Sequence, residues 1–540
     1  MAGGGRRRCR RARTVSLSCR DEAAAAEKRQ LRHCPGENRK GRPQLRPRSR
    51  RRVGRPGSRH ASRSVRCRGQ STGRRRVQGH SRQQPDRHVA GQQTGGHPRR
   101  HDCRRTWQQQ VRATPSGAQQ RVLDAIDRLE PAYRRLLQTL VRIPSQAREE
   151  ETEAQALVSE HMREIGLTVD SFDVDVQALK HLAAFNPSPR NYAGRPCVVG
   201  RRPGTGGGRS LLLNAHIDTV PVETPDAWAH PPFGGAIEDG RLYGRGACDD
   251  KAGIVECLLV AHAIKDAAVE LEGDLTVASV IEDETTGNGS LACVERGYTA
   301  DGVIIVDGTW PERFIVSHMG HVSFRIRLTG IAGHATSGGP NPIAAVGMVE
   351  EALRKFVERR NAEHAQHWGA KENPIFINLG MVHGGVWPGS VPGECVLEGQ
   401  YGFPPPGSCE SAKQELRDLL ATVAHRSDWP LRAAPSIEFV GLETPPEVGD
   451  PANPIAQLLS ATVRRLRGAT LQESVIVGHC DLRHYTRARE RPTTAACLYG
   501  PGGGRNVHGA DEYFELAHLR LVAGNLAGVA LEWCGVTRDR

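Results

Sequence analysis

The sequence predicts an α/β protein: a mixed-sheet domain interrupted by a smaller unit of split β-α-β-β-α-β order. Three observations carry that prediction. Short apolar runs of strand length, LLL at 211–213, TVASVI at 276–281 and VIIV at 303–306, alternate with stretches of helical periodicity. Each run delivers histidine or acidic residues at its end: His216 and Asp218, then Glu282 to Glu284, then Asp307. From about residue 320 the alternation changes, and after about residue 443 the first texture returns.

The 540 residues divide sharply by charge. Residues 1–110 carry 32 Lys+Arg against 6 Asp+Glu, whereas the rest carry 42 against 54. The formal net charge of +14 therefore belongs to the N-terminal region, and the body is mildly acidic. Residues 1–115 are poor in large apolar side chains and cannot bury enough surface to offset chain entropy, so a disordered Arg-rich tail without a dedicated function is expected. Arginine can neutralise phosphate, but Trp107 is the sole Phe, Tyr or Trp there to stack on a base, so nucleic acid is not an expected partner. Asp21, Glu22 and Glu27 argue against a transit peptide, and MAGGGRRRCRRAR lacks the apolar core of a secretory signal. No apolar run approaches the ~18 residues of a membrane helix. The 14 cysteines form no C-x-x-C pair and fit reduced thiols in a cytoplasmic protein.

The first segment of the main domain is expected over 116–318. VLDAIDRLEPAYRRLLQTLVRI keeps helical spacing up to a stop at Pro144, and EAQALVSEHMREIGL is a second amphipathic helix ended by Gly166. LTVDSFDVDV follows as a strand. The glycines of 204–208 lie between strands with no Lys-Ser/Thr after them, which predicts a hairpin turn rather than a phosphate loop. A helix is expected over 254–264, just after Asp249 and Asp250. The inserted unit, 319–442, reads as strand HVSFRIRLTG, helix PIAAVGMVEEALRKFVERR, strands PIFINLGMVHGG and CVLEGQYGF, helix CESAKQELRDLLATVAH and strand SIEFVG, a ferredoxin-like order. The second segment, 443–540, closes with a loop bearing His508 and a terminal helix.

His216, Asp218, Asp249, Glu282, Asp283, Glu284, Asp307 and His508 suit two zinc-like ions sharing a carboxylate, an arrangement used for hydrolysis. Singly, each has an ordinary reading as a cap, a surface group or a solvated turn. Their joint position at the ends of apolar strands is what points to a metal.

NAHIDTVP, GRGACDDKAG, IEDETTGNGS, the Asp of VDGTW, GIAGHAT, NLGMVHGG and GPGGGRNVHGADEY resemble, in that order, the zinc-dependent M20 peptidases and deacylases. The resemblance runs from about residue 119 to the end. It implies a zinc-hydrolase catalytic domain with an inserted lid and dimerisation domain. It further implies two Zn2+ per subunit, with Co2+ or Mn2+ as substitutes, and cleavage of the amide bond of an N-acyl amino acid or small peptide-like substrate. Dipeptidase, carboxypeptidase, N-carbamoyl hydrolase and non-catalytic binding relatives are the alternatives. Asp249 would bridge the ions, His216 and Asp307 completing one and Glu284 and His508 the other. Asp218 would orient the ring of His216, His334 would polarise the scissile carbonyl in its own or a neighbouring subunit, and the Asp249–Asp250 peptide would be cis.

Two departures follow from the same comparison. The first of two consecutive glutamates is the usual general base, and that position is Asp283 here, with Glu282 as the other candidate. Relatives acting on amino-acid conjugates commonly carry an Arg on the strand read as VLEGQYGF, where this chain has none. Asn378, His383 and Arg483 are the remaining polar candidates for substrate contact, and Cys248 reads as a small wall residue rather than a nucleophile.

Overall fold

A computed structural model describes residues 117–537 apart from 148–149, 309, 365–372, 489–491 and 494, so the Arg-rich tail lies outside the described residues. Helix α1 (Gly117–Arg142) buries Val122, Ile126, Tyr133, Leu137 and Leu140 at helical spacing, and α2 (Thr152–Glu164) buries Val158 and Met162. The chain continues through β1 (Thr168–Asp173), the short α3 (Val176–Leu179), β2 (Pro196–Arg202) and β3 (Leu211–His216). Next come β4 (Ala236–Glu238), β5 (Arg241–Tyr243), α4 (Lys251–Asp266), β6 (Leu275–Val280), α5 (Asn288–Glu295), β7 (Gly302–Ile305) and β8 (Arg313–His318).

The inserted stretch holds β9 (Gly320–Thr329), β10 (Gly333–His334), α6 (Ile343–His364), β11 (Phe376–Gly384), β12 (Ser390–Val391), β13 (Glu394–Phe403), α7 (Cys409–Ala424) and β14 (Ser436–Thr444). Its antiparallel sheet runs β11-β13-β9-β14, which is the split β-α-β-β-α-β arrangement. The unit has its own core, in which Phe324, Leu397 and Tyr401 meet Val349 and Leu416 of the two helices. The chain then forms β15 (Glu447–Val448), α8 (Pro454–Arg467), β16 (Gln472–Ile476), α9 (Leu482–Thr486), β17 (Ala496–Leu498), β18 (Gly504–Arg505), β19 (Tyr513–Glu515) and α10 (Leu516–Cys534).

The main sheet is mixed, in the order β1-β2-β6-β3-β7-β17-β8-β15, with β16 beside β8. β3 runs parallel to both β6 and β7, and all three are buried along their whole length. Burial on both faces explains why these strands read as uninterrupted apolar runs. α1, α4 and α10 share the large core beneath the sheet.

The expected hairpin over 204–208 is not present. β6 lies between β2 and β3, so the two strands never pair. The glycine loop instead packs on residues 271–274, with Thr205 N donating to Leu271 O and Gly206 N to Glu272 O. A Cβ at Gly208 would sit 1.9 Å from Cys534 O, so close backbone approach, not turn geometry, selects glycine there. Among the described residues no helix is long and apolar enough to cross a membrane, and the cysteines, such as Cys197, Cys257 and Cys497, are buried free thiols.

Candidate metal centre

Because β3, β6 and β7 are parallel neighbours, the turns that follow them open at one edge of the sheet, where α/β folds gather ligands. β3 ends at His216, the turn after β6 carries residues 282–284, and Asp307 follows β7. The loop before α4 adds Asp249, joined to Asp250 by a cis peptide. Asp250 caps α4 through Gly253 N and also accepts from His216 N at 3.2 Å, tying that loop to the strand end. His508 comes from between β18 and β19, where the small sheet β18-β19-β5-β4 pairs the C-terminal segment with residues next to Asp249.

Asp249 stands between two imidazoles. His216 Nε2 lies 3.0 Å from Asp249 Oδ1, and His508 Nε2 lies 3.3 Å from Asp249 Oδ2 and 3.2 Å from Glu284 Oε2. His216, Asp283 and Asp307 form one group whose ligand atoms all lie within 4.8 Å of one another, and His216, Asp249 and Glu284 form another. Glu284 Oε1 is buried with no hydrogen-bond partner. An orphaned carboxylate oxygen among further buried acids is a large desolvation cost unless a cation is present, so this donor set fits divalent ions.

The electrostatics agree. Burial and then the Asp249 charge push the Asp307 carboxyl up to about 7, and burial followed by Asp249 raises Glu284. Burial opposes ionisation of Asp249, but hydrogen bonds from His216 and His508 outweigh it and hold its carboxyl well below the usual range. The charge of Glu284, with Asp249 beside it, drives His508 up to about 11. For His216 burial acts downward, yet Asp218 and Asp249 raise it well above the ordinary imidazole value. Without ions, protons on the imidazoles partly balance these acids.

Asp218 does not orient His216 in the expected way. Its main-chain carbonyl, 2.9 Å from His216 Nδ1, takes that place, and its carboxylate stands 3.6 Å from the ring nitrogen. The carboxylate instead accepts from Asp283 N and Glu284 N, each at 3.3 Å, and so holds the turn after β6. β3 ends at His216, so strand alternation no longer governs a residue two positions on.

Glu282 is unfit to be the base. At φ +69° its buried side chain turns away to Arg195 Nη2 at 2.7 Å, Thr285 Oγ1 at 2.8 Å and Thr286 Oγ1 at 3.0 Å. Asp283 faces the cleft, which encloses about 890 Å³.

Asn378 lines that cleft from β11. Arg483 does not: it is buried, donating to Cys480 O at 2.6 Å and Thr286 O at 3.4 Å, so its expected role as a substrate contact is corrected to a structural one. His383 on β11 is exposed and outside the cleft lining; His334 on β10 is exposed and outside it too, its Nδ1 2.8 Å from Thr336 Oγ1. Cys248 lines the cleft, but burial pushes its thiol well above the ordinary value, which disfavours the thiolate.

Sequence reading passed over several residues. Trp310, His321, Phe376, Gln400 and His479 also line the cleft. Glu512, four residues after His508, accepts from Arg245 Nη1 at 2.6 Å, Gly246 N at 3.1 Å, Cys248 N at 3.1 Å and Asp249 N at 3.2 Å. It joins the loop of the shared Asp to the loop of His508. The one signal was its place in the HGADEY run.

Two imidazoles and four carboxylates, all but His508 at least partly buried, gather at the carboxyl ends of parallel strands in the mixed sheet and point to a class, a hydrolase with a metal-binding centre. Within that class the chain belongs to the peptidase family M20/M25/M40, which matches residues 212–532. It is similar to the N-formyl-4-amino-5-aminomethyl-2-methylpyrimidine deformylase of Halalkalibacterium halodurans, 28% identical over 437 residues that cover 76% of this chain and 97% of that protein. The Bacillus subtilis protein of the same name is 25% identical, covering 72% and 90%. The fold is shared with a dipeptidase of Saccharomyces cerevisiae, at a TM-score of 0.64, 16% identity, and coverage of 77% of this chain and 98% of that one. Human carnosine dipeptidase 1 shares it at a TM-score of 0.62, 14% identity, and coverage of 78% and 100%.

Proposed function

We propose that the chain cleaves the amide bond of an N-acyl amine, within the broad class of N-acyl amino acids and small peptide-like conjugates, using two divalent ions per subunit, zinc in the first place. The observation that carries this reading is the convergence of His216, Asp249, Glu284, Asp307 and His508 around one cleft that also contains Asp283. The names of the two curated relatives support it, since both release a formyl group from an amine.

His216, Asp249 and Asp307 would hold one ion, and Asp249, Glu284 and His508 the other. Bound ions supply Lewis acidity and lower the pKa of a water to the neutral range. Asp283 accepts the proton of the attacking water and returns it to the departing amine. Burial, reinforced by the charge of Asp481, raises the Asp283 carboxyl, which brings a short carboxylate nearer the strength a general base needs at neutral pH. Asp218 fixes the main chain of Asp283, so the shorter side chain is held in one place. His334, outside its own cleft, would serve a partner subunit in a homodimer formed through the inserted unit, and the setting would be cytoplasmic.

The test is a screen of the metal-loaded protein against formyl, acetyl, succinyl and carbamoyl conjugates and dipeptides. Hydrolysis that a chelator abolishes and Zn2+, Co2+ or Mn2+ restores is the expected result. A protein that binds two ions and cleaves none of these amides refutes the reading. Light scattering decides the dimer.

A further inference from the structure

The cleft beside the proposed ions is walled unlike a site for an amino acid. None of its described lining residues is Lys or Arg, and Glu223 adds an acid to those of the metal centre. β13 presents the uncharged Gln400 to the cleft. The two imidazoles in the wall do not supply the missing cation. Burial holds His479 down to about 4, and burial followed by the neighbouring His479 and His318 holds His321 well below the ordinary value, so both rings are neutral.

What the wall does offer is aromatic rings, tilted and edge-on to one another. Phe376 lies 5.5 Å from His321 between ring centroids, and His321 lies 5.6 Å from His479, so the rings form a continuous chain from the inserted sheet to the main domain. Trp310 rests on bare backbone: a Cβ at Gly503 would come within 1.8 Å of its ring. The amides of Asn378 and Gln400 add hydrogen-bonding groups that carry no charge.

From this lining we infer that the amine side of the substrate is a planar, carboxylate-free aromatic or heteroaromatic amine, held by Phe376, Trp310, His321 and His479 and read by Asn378 and Gln400. Aromatic walls bind flat rings by dispersion and edge-to-face contact. The acids of the metal centre would be balanced by its ions, and beyond those ions a substrate carboxylate would meet Glu223 and no Lys or Arg of the described wall. The inference rests on the amide-hydrolase reading above and narrows its substrate.

The experiment compares four formamides with the same scissile group: those of an aminomethylpyrimidine, benzylamine, glycine and phenylalanine. Both carboxylate-free aromatic formamides are expected to exceed both amino acid derivatives by at least about tenfold in kcat/KM. Phe376→Ala is expected to raise KM for the aromatic pair by about tenfold while leaving N-formylmethylamine within about twofold, a split that general damage to the fold would not produce. Gln400→Arg, which installs the missing cation, is expected to narrow the gap for N-formylphenylalanine. If the unaltered protein cleaves N-formylphenylalanine as well as N-formylbenzylamine, this inference is overturned and amide hydrolysis stands. If the metal-loaded protein cleaves no amide at all, the wider reading falls and takes this inference with it.

Discussion

The two histidines that share Asp249 are held in opposite ways. His216 is 3% exposed, sits at the end of a buried strand, and has its ring nitrogens engaged by Asp218 O and Asp249. His508 is 55% exposed and sits on a loop at φ +63°, a conformation that non-glycine residues adopt only when their surroundings impose it. Those surroundings are Arg245, which donates to Gly509 O, and Glu512, which receives that arginine together with the amides beside Asp249. One half of the centre is thus built from sheet and the other from a buried ion pair that clasps two loops. The sheet half should be preorganised, and the clasped half should release its ion first.

The largest expected contrast is between His216→Ala and His508→Ala. The first should abolish measurable hydrolysis and all tight metal binding, whereas the second should still retain one ion near His216, as counted by elemental analysis after dialysis. Equal metal content in the two variants would break the comparison. Asp283→Asn should lower kcat by about 10²- to 10⁴-fold with both ions kept, because it removes the proton acceptor and not a proposed ligand. Glu512→Gln should weaken the ion at His508 most, by about 10- to 100-fold in affinity, and the ion at His216 less, since Glu512 also holds the main chain of the shared Asp249. Titration with Co2+, followed by absorption, should show two unequal sites.

Acidity provides a smaller handle. Both imidazoles have raised values, His508 to about 11, so near neutrality the metal-free protein holds both protonated. Binding an ion must displace those protons, so affinity rises with pH, and calorimetry in buffers of different ionisation enthalpy should count about one proton released per imidazole. Smallest of all, Cys248→Ala should leave kcat/KM within about twofold, because the thiol's hydrogen bond goes to Gly502 O at 3.6 Å and not to a proposed ligand.

The same division explains which residues could be read in advance. His216, Glu284 and Asp307 stood out because each follows a local apolar run that already specifies a strand. Arg483 misled because a polar residue in a short helix near the site resembles a substrate contact, and nothing local shows that Thr286 O, far off in the chain, uses its guanidinium. His321 and Phe376 passed as ordinary alternating strand residues, since a strand's pattern does not say which of its ends meets a cleft.

From its sequence alone this protein disclosed the strands that lead to the site, its longer helices and the chemical kind of each candidate ligand, because those depend on periodicity over a few neighbouring residues. Tertiary structure alone decided that Glu282 faces Arg195, that β6 separates β2 from β3, and that Glu512 clasps Asp249 to the loop of His508. Each of these contacts joins residues far apart in the chain, and such pairings arise from packing the whole core rather than from any short stretch of residues.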